Sequence, residues 1–215
     1  MFKAASEGQE RIVDILLARG ADMEARNNMN ETPLFKAAVA GHVRIVSNLL
    51  RRGADMDAAN SDNETVLMKT AEQGNDRIVQ MLVFEGADID KKNNFDETAL
   101  IKAAVAGHDK IVGFLLDKGA DVNGKDKFHE TALVKAVRSG DTKTVDAVLE
   151  RGAYVECRNR QNESPLIMAV ESGHVDIVSL LLNKGADVNV KLNIRRSNAR
   201  CAMEVFKFRN RDYNC

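Results

Sequence analysis

The chain has 215 residues, which corresponds to one or two domains of ordinary size. Its 31 Lys and Arg nearly balance its 32 Asp and Glu, so a protein that works mainly by neutralising nucleic-acid phosphates is not expected. Hydrophobic residues make up 44% of the chain, which excludes full disorder, and no apolar run is long enough to span a membrane.

The N-terminal residues carry no secretory signal, because charged side chains such as Lys3, Glu7 and Asp14 interrupt the apolar stretches. The cysteines, which are Cys157, Cys201 and Cys215, lack the spacing of metal ligands. We therefore expect an intracellular protein, cytoplasmic or nuclear, that keeps its thiols reduced.

Most of the glycines recur every 33 residues, in two series. One series is Gly8, Gly41, Gly74, Gly107, Gly140 and Gly173, and the other is Gly20, Gly53, Gly86, Gly119, Gly152 and Gly185. A fixed period of this length indicates stacked repeats rather than one globular core.

Residues 30–62 contain the elements of one period. The hydroxyl of Thr32 followed by Pro33 and an apolar run predicts a short first helix, which ends at Gly41. A second amphipathic helix is predicted from Val43 to the glycine at position 53, and a polar, extended finger follows it. None of these elements buries its apolar face alone, so neighbouring units must stack.

These residues resemble the ankyrin repeat, whose Thr-Pro-Leu signature and period they share. The matching strings are Thr32-Pro33-Leu34, Thr65-Val66-Leu67, Thr98-Ala99-Leu100, Thr131-Ala132-Leu133 and Ser164-Pro165-Leu166. The resemblance covers residues 1–190 and implies an all-α solenoid of stacked helix-turn-helix units with hairpin-like fingers. The units would be 1–26, 27–59, 60–92, 93–125, 126–158 and 159–190.

The chain departs from the family pattern at two repeat positions. The histidine that follows Thr-Pro-Leu in the family is replaced by Phe2, Phe35, Met68, Ile101, Val134 and Ile167, so apolar packing should replace its hydrogen bond. The glycine of the finger tip is replaced by Asn30, Asn63, Asp96, His129 and Asn162. Asn, Asp and His tolerate a positive φ better than other non-glycine residues, so the turn should persist.

Both ends of the chain are irregular. The first unit begins in mid-repeat, which suggests an excerpt of a longer protein. Residues 191–215 carry seven Lys or Arg against Glu204 and Asp212. This basic tail is interpreted as a degenerate capping repeat, with an arm that engages an acidic partner as the alternative.

No catalytic motif is present. His42, His108 and His174 share one repeat position and should lie too far apart to bind one metal ion, so packing and hydrogen bonding at the helix turn are expected instead. No phosphate-binding loop and no nucleophile motif occurs. We therefore expect no enzyme, no cofactor and no metal site.

Two charged columns lie at the start of the first helices. Glu31, Glu64, Glu97, Glu130 and Glu163 precede the capping residues, and Lys3, Lys36, Lys69, Lys102 and Lys135 follow them. These charges predict a Glu–Lys ladder between repeats. The alternative is a row of lysines that holds an acidic peptide or a nucleotide.

Two phenylalanines next to successive finger tips, Phe95 and Phe128, have no role in forming a turn. With Val105 they should form the apolar centre of a patch whose basic edge is formed by Lys102, Lys135 and Arg138. Exposed aromatic residues are typical anchors of protein interfaces. In the alternative interpretation the two rings pack against each other and stiffen the fingers.

The resemblance implies a non-catalytic protein–protein interaction module that binds a protein or peptide partner on the concave face of the stack. A nucleotide or other small anionic ligand sensor is the alternative, with aromatic rings that stack on bases and lysines that bind phosphates. A spacer that binds nothing is a third possibility. We expect a monomer, no membrane contact and no nucleic-acid partner.

The family resemblance also suggests a modification. Asn123 and Asn189 follow Asp-Val, with paired leucines upstream, and this arrangement looks like the site where asparaginyl hydroxylases modify ankyrin domains. The same repeat position holds Glu24, Asp57, Asp90 and Glu156 in other units. Asparagine at this position could equally serve the turn.

Overall fold

The computed structural model describes residues 1–189, and the basic tail expected at 191–215 lies outside them. Within the described part, helices occur as consecutive pairs. The first helices are α1 (Phe2–Ser6), α3 (Pro33–Val39), α5 (Val66–Gln73), α7 (Ala99–Ala106), α9 (Ala132–Ser139) and α11 (Pro165–Ser172). The second helices are α2 (Glu10–Ala18), α4 (Val43–Arg51), α6 (Asp76–Phe84), α8 (Asp109–Asp117), α10 (Thr142–Glu150) and α12 (Val175–Asn183).

The first helices begin where the sequence predicts, because a hydroxyl caps each of the five that follow a finger. The Thr32 hydroxyl accepts a hydrogen bond from the backbone N–H of Phe35 at 3.2 Å. Thr65, Thr98, Thr131 and Ser164 make the equivalent bond. Each cap satisfies one of the N–H groups that a helix start leaves without a partner within the helix.

The helices stack in two parallel layers. Each first helix packs against the first helices before and after it, each second helix packs against its own neighbours, and the two helices of a pair contact each other. No β-strand occurs among residues 1–189, where the β pairing is a single bridge between Ala59 and Thr65. The all-α solenoid predicted from the repeats is therefore confirmed.

The core runs continuously through the stack rather than forming one central cluster. Phe35, Met68, Ile101 and Val134, which replace the family histidine, are each no more than 2% exposed. The prediction of apolar packing at this position is confirmed. None of the helices in residues 1–189 is both long enough and apolar enough to cross a membrane.

Histidines join neighbouring units at the turn between paired helices. The imidazole Nε2 of His42 lies 2.9 Å from the carbonyl oxygen of Ser6, and that of His108 lies 3.0 Å from the carbonyl oxygen of Glu72. The His108 ring also covers Gly74 of the preceding unit. The packing and hydrogen-bonding role predicted for these two histidines is confirmed.

Candidate functional site

We call the extended tips between successive units fingers 1 to 5, comprising residues 25–31, 58–64, 91–97, 124–130 and 157–163. In finger 3, the side-chain oxygen Oδ1 of Asn93 accepts hydrogen bonds from the N–H groups of Phe95 and Glu97, at 2.8 and 2.9 Å. Asp126 accepts the same pair of bonds in finger 4. The side chain at the start of each turn therefore fixes its shape.

The finger tips keep the turn without glycine. Asn30, Asn63, Asp96, His129 and Asn162 all have φ between 59° and 61°. This left-handed conformation is the one predicted from the residue types. It holds Phe95 and Phe128 at equivalent places on neighbouring tips.

Backbone hydrogen bonds join one finger to the next. The N–H of Lys127 donates to the carbonyl of Phe95 at 2.9 Å, and the N–H of Arg160 donates to the carbonyl of Phe128 at 3.3 Å. The N–H of Asn94 bonds to Asp62 on finger 2 in the same way, at 3.0 Å. These bonds hold fingers 2 to 5 as one surface, which lowers the ordering cost of binding a partner.

The two phenylalanine rings are half exposed, at 52% for Phe95 and 51% for Phe128. They do not form an aromatic pair with each other; among residues 1–189 the one aromatic pair joins Phe84 to Phe114. The Nζ of Lys135 lies 5.8 Å from the centroid of the Phe128 ring, within the range of a cation–π contact. Mutual ring packing therefore does not account for Phe95 and Phe128.

Val105 and Arg138 occupy equivalent positions on α7 and α9 and are both exposed. Val105 is 48% exposed and lines an open cleft of about 640 Å³, whose other walls include Ala106, Ser139 and Lys143. Phe95, Phe128 and Val105 are named the aromatic patch below. All three present apolar surface to solvent.

Lys102 does not form a free basic edge for this patch. Its Nζ lies 2.8 Å from Glu64 of the preceding unit, 3.2 Å from Glu72 and 3.4 Å from Glu97, and its side chain is only 14% exposed. Burial alone lowers the pKa of Lys102, but its hydrogen bond to Glu64 and the surrounding carboxylates raise it overall. The pKa of Glu72 is lowered, because the bonds and charges of Lys69 and Lys102 outweigh its own burial.

Lys135 is neutralised in a different way. Its Nζ lies 2.8 Å from Asp126 and 2.7 Å from Glu130, and the Arg138 guanidinium bonds to the same Glu130 at 2.5 Å. Burial lowers the pKa of Lys135, but the hydrogen bonds to Asp126 and Glu130 raise it overall. The cluster contains two acids and two bases, so its charges cancel.

The expected basic edge is therefore corrected to an ion-pair network. Lys36 and Lys69 also pair with the glutamate of their own unit, at 3.4 and 4.0 Å. Lys102 provides the contact between units that a ladder requires, through Glu64 and Glu72. The predicted Glu–Lys pairing is therefore present, but it joins neighbouring units only at Lys102; the pairs of Lys36, Lys69 and Lys135 lie within a unit.

Sequence reasoning missed the residue that completes this network. Asparagine occupies the first turn position of fingers 1, 2, 3 and 5 and donates its side-chain N–H to the glutamate four residues later; these are Asn27, Asn60, Asn93 and Asn159. In finger 4 the residue is Asp126, which cannot donate, and Lys135 lies between the two carboxylates instead. The four-residue spacing between Asn and Glu, which recurs in the other fingers, is the sequence signal that could have revealed these side-chain pairs.

Sequence reasoning also missed four exposed cations on fingers 3 to 5, which we name the finger cations: Lys92, Lys125, Lys127 and Arg160. None of them forms an ion pair or a side-chain hydrogen bond within residues 1–189, unlike Arg26, whose guanidinium donates to the carbonyl of Ala59. Lys127 precedes Phe128 in the chain, and its backbone N–H donates to the backbone carbonyl of Phe95.

The cysteines and the potential metal ligands of residues 1–189 do not form a reactive or metal-binding site. Burial raises the pKa of the Cys157 thiol, which lies 3.5 Å from the Thr131 hydroxyl, so the thiolate needed for nucleophilic chemistry is disfavoured. Cys201 and Cys215 lie outside the described residues. No group of three or more potential metal ligands occurs within residues 1–189.

Asn123 takes part in a contact between units. Its side-chain Oδ1 accepts a hydrogen bond from the N–H of Tyr154 at 2.9 Å. Asp57 and Asp90 accept the equivalent bond from the following unit. Asn189 ends the described part of the chain, where its N–H bonds to Asp187. Asn123 therefore has a structural role in joining two units, whether or not it is modified.

Comparison with known sequences agrees with the geometry. No curated protein matches the chain at a significant level. The family model described as ankyrin repeats (3 copies) matches residues 1–93, 49–126, 67–159 and 123–191, so overlapping matches extend along the chain from residue 1 to residue 191. Proteins of this family generally serve as protein–protein interaction modules and are typically non-catalytic. The chain belongs to the ankyrin-repeat family.

Proposed function

We propose that the chain is a non-catalytic module that binds a protein or peptide partner on the face formed by the fingers and the first helices, which we expect to be the concave face. The observation that carries this proposal is the half exposure of Phe95 and Phe128 on neighbouring fingers. Neither ring is needed to form its turn, since Asn93 and Asp126 fix the turns through their side chains. Aromatic side chains on a rigid surface supply large contact area at low entropic cost.

The partner should lie across fingers 3 and 4 and contact Val105 on α7. This position places apolar groups at the centre of the interface and the ion-paired side chains of Lys102, Lys135 and Arg138 around it. Because these side chains are already ion-paired within the chain, they can shield the apolar centre from water without a charged group on the binding partner. The three basic residues thus remain in the proposed interface as its rim.

The alternative of a nucleotide or small anionic ligand is not supported at the two lysines assigned to it. It assigned the phosphate contacts to Lys102 and Lys135, and these lysines already contact three and two carboxylates respectively. A phosphate at either lysine would face those carboxylates at close range. At Lys102 three carboxylates meet two lysines, and at Lys135 the charges already cancel, so neither lysine offers the net positive charge that favours a phosphate.

Replacing both rings should abolish partner binding while the fold is retained. In affinity capture from cell lysate, the wild-type chain should retain a partner that the F95S/F128S variant loses, because truncating two anchors weakens an interface by at least about tenfold. The matched control is F84S, which removes a 68% exposed ring on second helix α6. Captured proteins identified by mass spectrometry that are identical for all three chains would contradict the proposal.

We also propose hydroxylation of Asn123 and Asn189. In this reaction a C–H bond of the side-chain methylene becomes C–OH with one atom of molecular oxygen; the other atom enters a 2-oxo acid co-substrate, which is oxidised to the shorter carboxylic acid and releases carbon dioxide. In cells that contain an asparaginyl hydroxylase, mass spectrometry should find the peptides of Asn123 and Asn189 heavier by one oxygen atom. Unmodified peptides from such cells, beside a hydroxylated control ankyrin protein, would exclude the modification.

A further inference from the structure

We propose that the partner segment is acidic, with negatively charged side chains flanking its apolar anchors, and this inference rests on the proposed function. Two classes of cation occur near the aromatic patch. Those on the first helices, such as Lys102 and Lys135, are neutralised within the fold. The finger cations have no such partners within residues 1–189, so their charge is available to a ligand.

The placement of the finger cations matches the aromatic patch. Lys127 precedes Phe128 in the chain, and its backbone N–H donates to the carbonyl of Phe95; the backbone N–H of Arg160 donates to the carbonyl of Phe128. Lys92 and Lys125 occupy the same position on fingers 3 and 4, three residues before each phenylalanine. The finger cations therefore lie on the two fingers that carry the rings and on the finger that follows them.

The charge is confined to one end of the row of fingers. Finger 2 contains no basic residue and exposes Asp62 at its tip, whereas fingers 3, 4 and 5 carry the finger cations. The finger cations place four positive charges on three neighbouring fingers, and none of them forms an ion pair within residues 1–189. An acidic ligand would pair with these charges, and its negative end should lie over fingers 4 and 5, which carry three of the four cations.

The surroundings favour an acidic peptide over a nucleic acid. Exposed aspartates follow the second helices at the base of the fingers; they are Asp55, Asp88 and Asp121. These aspartates precede fingers 2, 3 and 4 in the chain, and their negative charge disfavours a long polyanion more than a short peptide that covers only the tips. The near-zero net charge of the whole chain also gives little attraction for a polymer of phosphates.

Selection from a library of random displayed peptides tests the inference. The wild-type chain should select peptides that combine acidic residues with aromatic or aliphatic ones and that fail to bind F95S/F128S. Their affinity for the variant K92Q/K125Q/K127Q/R160Q should be at least about tenfold weaker, and it should fall with added salt, because exposed ion pairs are screened. The matched control is R51Q/R52Q, which removes two exposed cations at the end of α4.

The outcomes separate this inference from the proposed function. Peptides that require Phe95 and Phe128 but are neutral or basic, or that tolerate the loss of the finger cations, would overturn the acidic partner and leave the binding surface standing. Failure to select any peptide that depends on the two rings would overturn both. Tighter binding of a single-stranded oligouridylate than of every selected peptide would also overturn the inference, in favour of a nucleic acid.

Discussion

The G74A variant is expected to lose roughly 3–4 kcal/mol of unfolding free energy. Gly74 ends α5 at φ +78°, where alanine costs roughly 1–2 kcal/mol by itself. An added Cβ would also lie 2.6 Å from Cε1 and 2.9 Å from Nε2 of the His108 ring. The ring must then move and release its contact with the carbonyl of Glu72, which joins the two units. Urea unfolding monitored by circular dichroism measures the loss.

The chain offers a matched control for this prediction one repeat earlier. Gly41 has φ +79°, but an added Cβ there meets no atom within 4 Å. G41A should therefore cost only the backbone term of roughly 1–2 kcal/mol. In the double variant G74A/H108A the combined loss should be smaller than the sum of the single losses, since the clash is removed. Equal losses for G74A and G41A would show that the histidine contact contributes nothing.

Replacing Lys102 by methionine should destabilise the chain by about 3 kcal/mol. The substitution keeps most of the side-chain volume but leaves the carboxylates of Glu64, Glu72 and Glu97 without the cation they share. The Glu64 side chain is only 10% exposed, so water replaces the lost partner poorly. Chemical unfolding at neutral pH, with wild type and variant side by side, gives the difference.

The matched control is K36M, at the same repeat position. Lys36 contacts one carboxylate, that of Glu31 at 3.4 Å, and its side chain is 31% exposed, so its loss should cost at most about 1 kcal/mol. If K102M costs no more than K36M, the shared-cation interpretation is wrong.

The pH dependence of the K102M effect has a definite sign. The pKa of Glu72 is lower in the folded chain, so its contribution to stability is present above its unfolded pKa, near 4.5, and is lost as the pH falls through the folded value. The raised pKa of Lys102 keeps this side chain charged over that whole range. The stability difference between wild type and K102M should therefore shrink on acidification below that unfolded pKa and stay constant around neutral pH.

The contrast between the two classes of lysine explains why charge columns alone do not reveal a binding site. In sequence, Lys102 and Lys135 form a conspicuous row, whereas Lys92, Lys125 and Lys127 look like ordinary loop residues. In the fold, Lys102 and Lys135 form ion pairs with neighbouring carboxylates. The loop lysines are exposed and form no ion pair within residues 1–189. Which charged side chains form ion pairs depends on the distances between them, and the 33-residue period of the sequence does not give those distances.

The sequence by itself determined the fold, because each of its signals is local. The hydroxyl caps such as Thr32 and Thr65, the helix-ending glycines and the tip residues such as Asn30 act within a few residues of the chain, and the 33-residue period then requires stacking. The burial of the apolar residues that replace the family histidine could also be predicted, since it follows from their position in the repeat.

Only the tertiary structure decided how the candidate surface is charged. Whether Lys102 meets Glu64 of the previous unit depends on how neighbouring units are spaced. Whether Asp126 and Glu130 share Lys135 depends on which side chain the turn of finger 4 directs inward. The sequence could place Phe95 and Phe128 on neighbouring fingers, but the backbone bonds between those fingers and the half exposure of the rings come from stacking. The Lys102–Glu64 pair joins two units at 2.8 Å, so it becomes fixed only when the stack has formed.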